Sequence, residues 1–299
     1  MKKTILAILL VMALALTACG NQTAPTTEEA AKKEPTTQVE TEKTEEKAET
    51  AETEGAETGE METIKIGVTP VPHAEIIEFI KEDMAAEGIN LELVEFNDYV
   101  VPNIALNDGE IDANFFQHDP YFQANKEQNS LDLVSIGVVH IEPIALYSDQ
   151  YAAVDELPDG ANIIIPNDAT NGARALLLLE KAGLIKLEDP SNINATEEDI
   201  TENPKNLTFT PMDAAAIPRA YADADGAVIN SNFAISAGLN PITDGLIMEE
   251  GDSPYANLVA VRAGEEKEEK FAKLMEALHS EKVREFLLEK YEGAVVPAF

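Results

Sequence analysis

From Ile64 onward, short runs of apolar and β-branched residues alternate with stretches whose apolar positions recur every three or four residues. This alternation constrains the fold more than any other feature. Strands that take turns with helices build α/β layers with mostly parallel sheets. Ile64-Lys65-Ile66-Gly67-Val68 reads as a strand. A helix follows from His73, with Ile76, Ile80 and Met84 on one face and Gly88 as its stop. Leu91 to Phe96 is a second strand, then come a short helix near Asn103 to Asn107, a strand from Ile111 to Phe115 and a helix from about Pro120. Leu133 to His140 and Ile144 to Tyr147 are further strands, divided by Pro143. After the turn at Pro158-Asp159-Gly160 the sequence predicts a strand over 162–165, a helix over 171–182, a strand over 207–210, a helix from Asp213 and a strand over 227–230. Strands near Leu246 and Leu258 precede two closing helices. No repeat of fixed period is present.

Val138 to Tyr147 lies near the middle of the alternation and reads as a crossover between two lobes. A return near residues 240–250 makes the first lobe discontinuous. The expected division is 64–141 plus 246–299 for one lobe and 142–245 for the other, with a ligand cleft between them.

The N-terminal residues bear on compartment. Lys2 and Lys3 precede an apolar run from Ile5 to Leu16, short for a bilayer span and suited to a signal-peptide core over residues 1–18. It closes on Leu16-Thr17-Ala18-Cys19-Gly20, which resembles the lipobox of bacterial lipoproteins, where the cysteine is acylated. Cys19 is the single cysteine of the chain, so no internal disulfide can form. More than one acyl chain on one residue gives stable attachment where a single chain does not. Residues 20–63 are dominated by Thr, Glu, Ala and Lys and hold no Leu, Phe or Tyr. Such a segment has nothing to offset the entropy of ordering, so residues 19–63 are expected to be a disordered, lipidated leash of roughly 35–40 Å reach. The expected location is the extracytoplasmic face of a membrane, held by the lipid alone. With 56 acidic against 21 basic residues, the chain should repel nucleic acid and anionic lipid.

Ligands of open α/β sheets bind beyond the C-terminal ends of strands. Here those ends run into Thr69-Pro70-Val71-Pro72-His73, Asn97-Asp98-Tyr99, Asn114-Phe115-Phe116-Gln117-His118 and Asn230-Ser231-Asn232. Strand alternation sends Phe115 and Phe116 to opposite faces, one into the core and the other toward a pocket wall. Arg174 falls in the first turn of the helix expected near Thr170-Asn171, where a cation opposes the positive end of the helix dipole. Apolar residues follow it, so it does not sit on an ordinary charged face. Arg174 reads either as a carboxylate clamp aided by helix amides and by Gly172, or as an interdomain salt bridge.

Catalytic signatures are missing: no Gly-x-Ser-x-Gly, phosphate loop, dinucleotide fingerprint or spare cysteine is present. The chain is therefore not expected to be an enzyme. A competing reading is a zinc-type metal site formed by His73, His118 and His140 with an Asp or Glu, although none of them has the close spacing of a metal motif.

The segments "IKIGVTPVPHAEI", "EFNDYVVPNIALNDGEIDANFFQHDPYF", "VHIEPIALYS", "IPNDATNGARALLLLEKAGLI", "AVINSNFAISAGLNP", "DSPYANLVAVR" and "GAVVPAF" together resemble the NlpA-type lipoproteins, the substrate-binding components of methionine ABC importers. The resemblance covers essentially all of Ile64 to Phe299. It implies two α/β lobes of the type-2 periplasmic-binding-protein kind, joined by two crossover strands. It also implies a monomer without cofactor that encloses methionine and delivers it to a permease with a cytoplasmic ATPase. By the same resemblance, Tyr99, Phe116, His118 and Tyr121 surround the ligand side chain, while Arg174, Asn230 and Asn257 hold the amino-acid backbone. Ala173 and Ser231 depart from the family pattern, where glycine is common.

Overall fold

A computed structural model describes residues 61–251 and 253–299. The signal peptide, Cys19 and nearly all of the leash lie outside the described residues. The first half runs β1 (Glu62–Val68), α1 (Glu75–Ala86), β2 (Ile89–Glu95), α2 (Val101–Asn107), β3 (Ala113–His118), α3 (Asp119–Asn129) and β4 (Leu133–Ile141). Next come β5 (Ala145–Tyr147), β6 (Asn162–Pro166), α4 (Ala169–Lys181), a small hairpin of β7 (Lys186–Leu187) and β8 (Ile200–Glu202), and β9 (Thr208–Met212). Then follow α5 (Ile217–Ala220), β10 (Gly226–Ile229), α6 (Ser231–Ser236) and β11 (Gly245–Met248). The chain closes with β12 (Ala256–Arg262), α7 (Glu269–Leu278), α8 (Glu281–Tyr291) and β13 (Val296–Pro297).

These strands form two principal sheets. The first has the order β13-β4-β12-β3-β1-β2, the second β11-β5-β10-β6-β9. Both are mixed rather than mostly parallel. Strand β1 runs parallel to β2 and β3, but β12 runs antiparallel to both β3 and β4. The reason is connectivity: β12 enters its sheet directly from the crossover, at the end where β3 and β4 finish. In the second sheet β5 is antiparallel to its neighbours β10 and β11 for the same reason.

The return crossover starts later than the expected residue 246. Gly245, Ile247 and Met248 pair with Tyr147, Leu146 and Ala145 in the second sheet, so β11 is completed before the chain leaves. Two other elements differ. Strand β3 continues to His118, because His118 and Gln117 find partners in Asn257 and Leu258 of β12. The helix expected from Asp213 begins only at Ile217; Asp213 instead accepts the Ala215 amide in a turn at 3.0 Å.

Burial follows the periodicities. Ile64, Ile66 and Val68 of β1 are fully buried, and α1 lays Ile76, Ile77, Ile80 and Met84 on them. Gly88, at φ 78°, ends that helix in the left-handed conformation glycine adopts without cost. Phe271, Leu274 and Leu278 of α7 and Val283 and Leu287 of α8 join the same core. In β6, Ile163 and Ile165 face one core and Ile164 the other, which is why this strand reads as an unbroken apolar run. Among the described residues, no helix is long and apolar enough to cross a membrane.

Candidate functional site

The sheets meet where β3, β4 and β10 end. A small cavity lies there. Tyr99, His118, Tyr121, Arg174, Asn230 and Asn257 all line it. Phe116 stands behind the wall: its ring centroid is 6.0 Å from that of Tyr99 and 6.2 Å from that of Tyr121. Phe115 points the other way into the first core, edge-on to His73 at 4.6 Å. The alternation sends the two rings to opposite faces as expected, but Phe116 is not itself among the residues that line the cavity.

A chain of hydrogen bonds fixes the polar wall. The Tyr121 amide donates to His118 Nδ1 at 3.1 Å, so the ring proton belongs on Nε2, which donates to Asn171 Oδ1 at 3.1 Å. Asn230 Nδ2 donates to the same oxygen at 2.8 Å, and Asn171 Nδ2 donates to the Asp168 carboxylate at 3.0 Å. This leaves Asn230 Oδ1 buried and without a hydrogen-bond partner among the described residues. Tyr99 Oη donates to Asn232 Oδ1 at 2.6 Å, and Tyr121 Oη donates to the Tyr99 carbonyl at 2.8 Å. Burial holds both phenols well above their usual pKa, so both stay protonated donors.

Arg174 departs from its expected place. Helix α4 starts at Ala169, because Asp168 caps it by accepting the Asn171 amide at 2.9 Å. Arg174 is thus in the second turn, and one amide expected to help a clamp is already capped. Gly172 serves packing rather than ligand approach, since a Cβ there would lie 3.0 Å from the Pro166 carbonyl. The Arg174 guanidinium is buried and stacks over Tyr255 at 4.2 Å. Nε faces both Glu249 oxygens at 3.2 Å, and Nη2 donates to Glu249 and, at 2.8 Å, to the Glu142 carbonyl. The salt bridge that was the alternative to a clamp is therefore present. Nη1 takes no hydrogen bond among the described residues.

Of the histidines proposed for a metal, His73 and His140 are brought together with an acid, Glu142, their ligand atoms within 4.8 Å of one another, while His118 is not part of that group. Both ring nitrogens of His118 are taken by Tyr121 and Asn171. His73 and His140 instead converge on Glu142, with Nε2 to Oε1 distances of 3.2 and 2.8 Å. Burial holds His73 down to about 4 and His140 and His118 to about 3, with Arg174 adding to the effect at His118. Neutral imidazoles donating Nε2–H explain the convergence on Glu142, and Thr69 Oγ1 donates to His73 Nδ1 at 2.7 Å, whereas His140 Nδ1 is buried without a hydrogen-bond partner among the described residues. Glu142, pushed up by burial against the pull of His73 and Arg174, lines the cavity and was missed by sequence reasoning. Its signal was an acid in the otherwise apolar stretch His140-Ile141-Glu142-Pro143-Ile144. Asn171 was missed as well, since it looks like an ordinary helix-start residue, and Asn232 was named only as part of a strand end, without a role in the site.

Two α/β lobes joined by two crossover segments, with a cavity between them, define a bilobed periplasmic-binding-protein fold. The chain belongs to the NlpA lipoprotein family, which it matches over residues 64–299. It is 44% identical over 238 residues to membrane lipoprotein TpN32 of Treponema pallidum, covering 79% of this chain and 89% of that one. It is 43% identical over 248 residues to the methionine-binding lipoprotein MetQ of Bacillus subtilis, covering 81% and 90%. A nutrient binding protein from Burkholderia cenocepacia, solved bound to methionine, superimposes with a TM-score of 0.76 at 42% identity over 79% of this chain and all of that one.

Proposed function

We propose that this protein is a lipid-anchored, extracytoplasmic substrate-binding protein that captures methionine between its lobes and passes it to an ABC permease with its ATPase. It acts as a monomer, held by acylated Cys19, and catalyses nothing. The observation that carries the reading is a pair of unused groups at one cavity. Among the described residues, Asn230 Oδ1 is a buried acceptor without a partner, and Arg174, which lines the same cavity, makes its hydrogen bonds through Nε and Nη2 and none through Nη1. A free amino acid presents the complementary pair, a carboxylate and an ammonium. The rings of Tyr99 and Tyr121 and the imidazole of His118 border the space for a side chain, with Phe116 packed behind the two tyrosines, and a thioether gains about 0.3–1.5 kcal/mol from contact with an aromatic ring. Asn257 completes the backbone contacts. The methionine-bound relative and the relative named for methionine binding support the same choice.

Calorimetry on ligand-stripped protein tests this with L- and D-methionine, ethionine and norleucine. At least one methionine enantiomer should bind with a Kd of about 1 μM or tighter, near −8 kcal/mol. Arg174→Ala should weaken all carboxylate ligands alike by more than tenfold, since a charge-assisted hydrogen bond contributes about 1.5–3 kcal/mol. Phe116→Ala should instead change their ranking, because it alters the wall that reads the side chain. Absence of heat with either methionine, or turnover of methionine, would overturn the proposal.

A further inference from the structure

The Arg174–Glu249 pair occupies donors of the side chain proposed to meet the ligand carboxylate. Glu249 occupies the Nε/Nη2 edge of the guanidinium with both its oxygens, and the Glu142 carbonyl takes Nη2 as well. That edge is one of the two through which a guanidinium gives a carboxylate two parallel hydrogen bonds, and the Glu142 carbonyl on Nη2 obstructs the other. What is left for a ligand is Nη1. Glu249 itself stays out of the central cavity. It lines a larger open groove on the far side of Arg174, and its side chain is 15% exposed. Its backbone fixes it there: the Glu249 amide donates to the Ile144 carbonyl at 2.9 Å, and the Ile144 amide approaches Glu249 Oε2 at 3.4 Å. The carboxylate is thus held against the arginine by the first crossover.

We infer that Glu249 is an internal competitor, a residue that lowers the affinity for carboxylate ligands by holding the guanidinium fork and its charge. The inference rests on the proposed role of Arg174 as the carboxylate contact. A ligand arriving at Nη1 meets a cation already neutralised, and the second carboxylate stands close behind it. Removing the charge of Glu249 relieves that repulsion and frees the fork to turn toward the ligand. The effect reaches only ligands that carry a carboxylate. A residue that merely held the fold together would instead weaken every ligand when removed.

The test compares Glu249→Gln, Glu249→Asp and wild type by calorimetry, with L-methionine and L-methioninamide as probes. Glu249→Gln keeps size and one acceptor oxygen but removes the charge. It should bind L-methionine about tenfold tighter, while the amide changes less than twofold. Glu249→Asp, which withdraws the carboxylate by one methylene, should tighten methionine binding to a smaller extent and covers the case in which Glu249→Gln fails to fold. In an Arg174→Ala background the Glu249→Gln gain should vanish. Unchanged or weaker methionine binding in both variants, or an equal shift for the amide, overturns the inference. Wild-type protein that binds no methionine would fail the functional proposal instead, so the two failures are distinguishable.

Discussion

At the scale of single residues, the most consequential groups are the imidazoles that the fold keeps uncharged. His73, His118 and His140 are held to about 4, 3 and 3, against roughly 6.5 in an unfolded chain. As pH falls below about 6.5 the unfolded chain takes up protons at these sites while the folded chain does not. Stability is therefore lost on acidification through that window, by up to about 1.4 kcal/mol per pH unit for each histidine. Glu142 works in the opposite sense, because its raised pKa lets the folded state take up a proton first, and it offsets at most one of the three. Acidification also relaxes the self-repulsion of a chain with net charge −35, so the histidine effect is best read as a difference between proteins. His140→Gln should show a shallower loss than wild type between pH 6.5 and 5, measured as unfolding free energy in urea. Parallel curves would mean that His140 is not held neutral.

Among the elements, α4 links stability to the site. Asp168 caps the helix through the Asn171 amide and also grips the Asn171 side chain, which in turn holds His118 and Asn230. Asp168→Ala should therefore lower stability by about 1 kcal/mol, the usual cost of a lost N-cap, and weaken methionine binding several-fold. Asp168→Asn keeps an acceptor for the cap and should restore most of the stability; thermal unfolding and calorimetry on both variants check this. The same helix shows what sequence reasoning reaches. Its apolar run and its approximate span were legible from Leu176 to Leu179, of which Leu176, Leu178 and Leu179 are buried and Leu177 partly so. Its start was not, because Thr170 and Asn171 are also plausible caps, and the choice of Asp168 moved Arg174 by a turn. The strands were legible from their β-branched runs, His118 and Arg174 from their positions near strand and helix ends, and Tyr121 only through the family resemblance. Glu249 was not, since it meets Arg174 across 75 positions of sequence. The direction of β12 was equally hidden, because it depends on which end of a sheet the chain re-enters.

For the molecule as a whole, anchor and binding unit should be separable. Cys19→Ala should release the protein from the membrane into a soluble fraction, and removal of residues 21–60 should leave methionine affinity unchanged. Cell fractionation tests the first and calorimetry the second; a lost affinity would assign the leash a part in the site. The cavity itself needs both lobes, since Tyr99 and His118 come from one while Asn171 and Asn232 come from the other. The place of β12 between β4 and β3 sets an order of completion. All five strands of the second sheet are present once the chain reaches Met248. An N-terminal fragment of that length carries β1 to β4 with a gap in the middle, and nothing else in it supplies the missing rung. The lobe that the chain enters first is the one it can close only at the end.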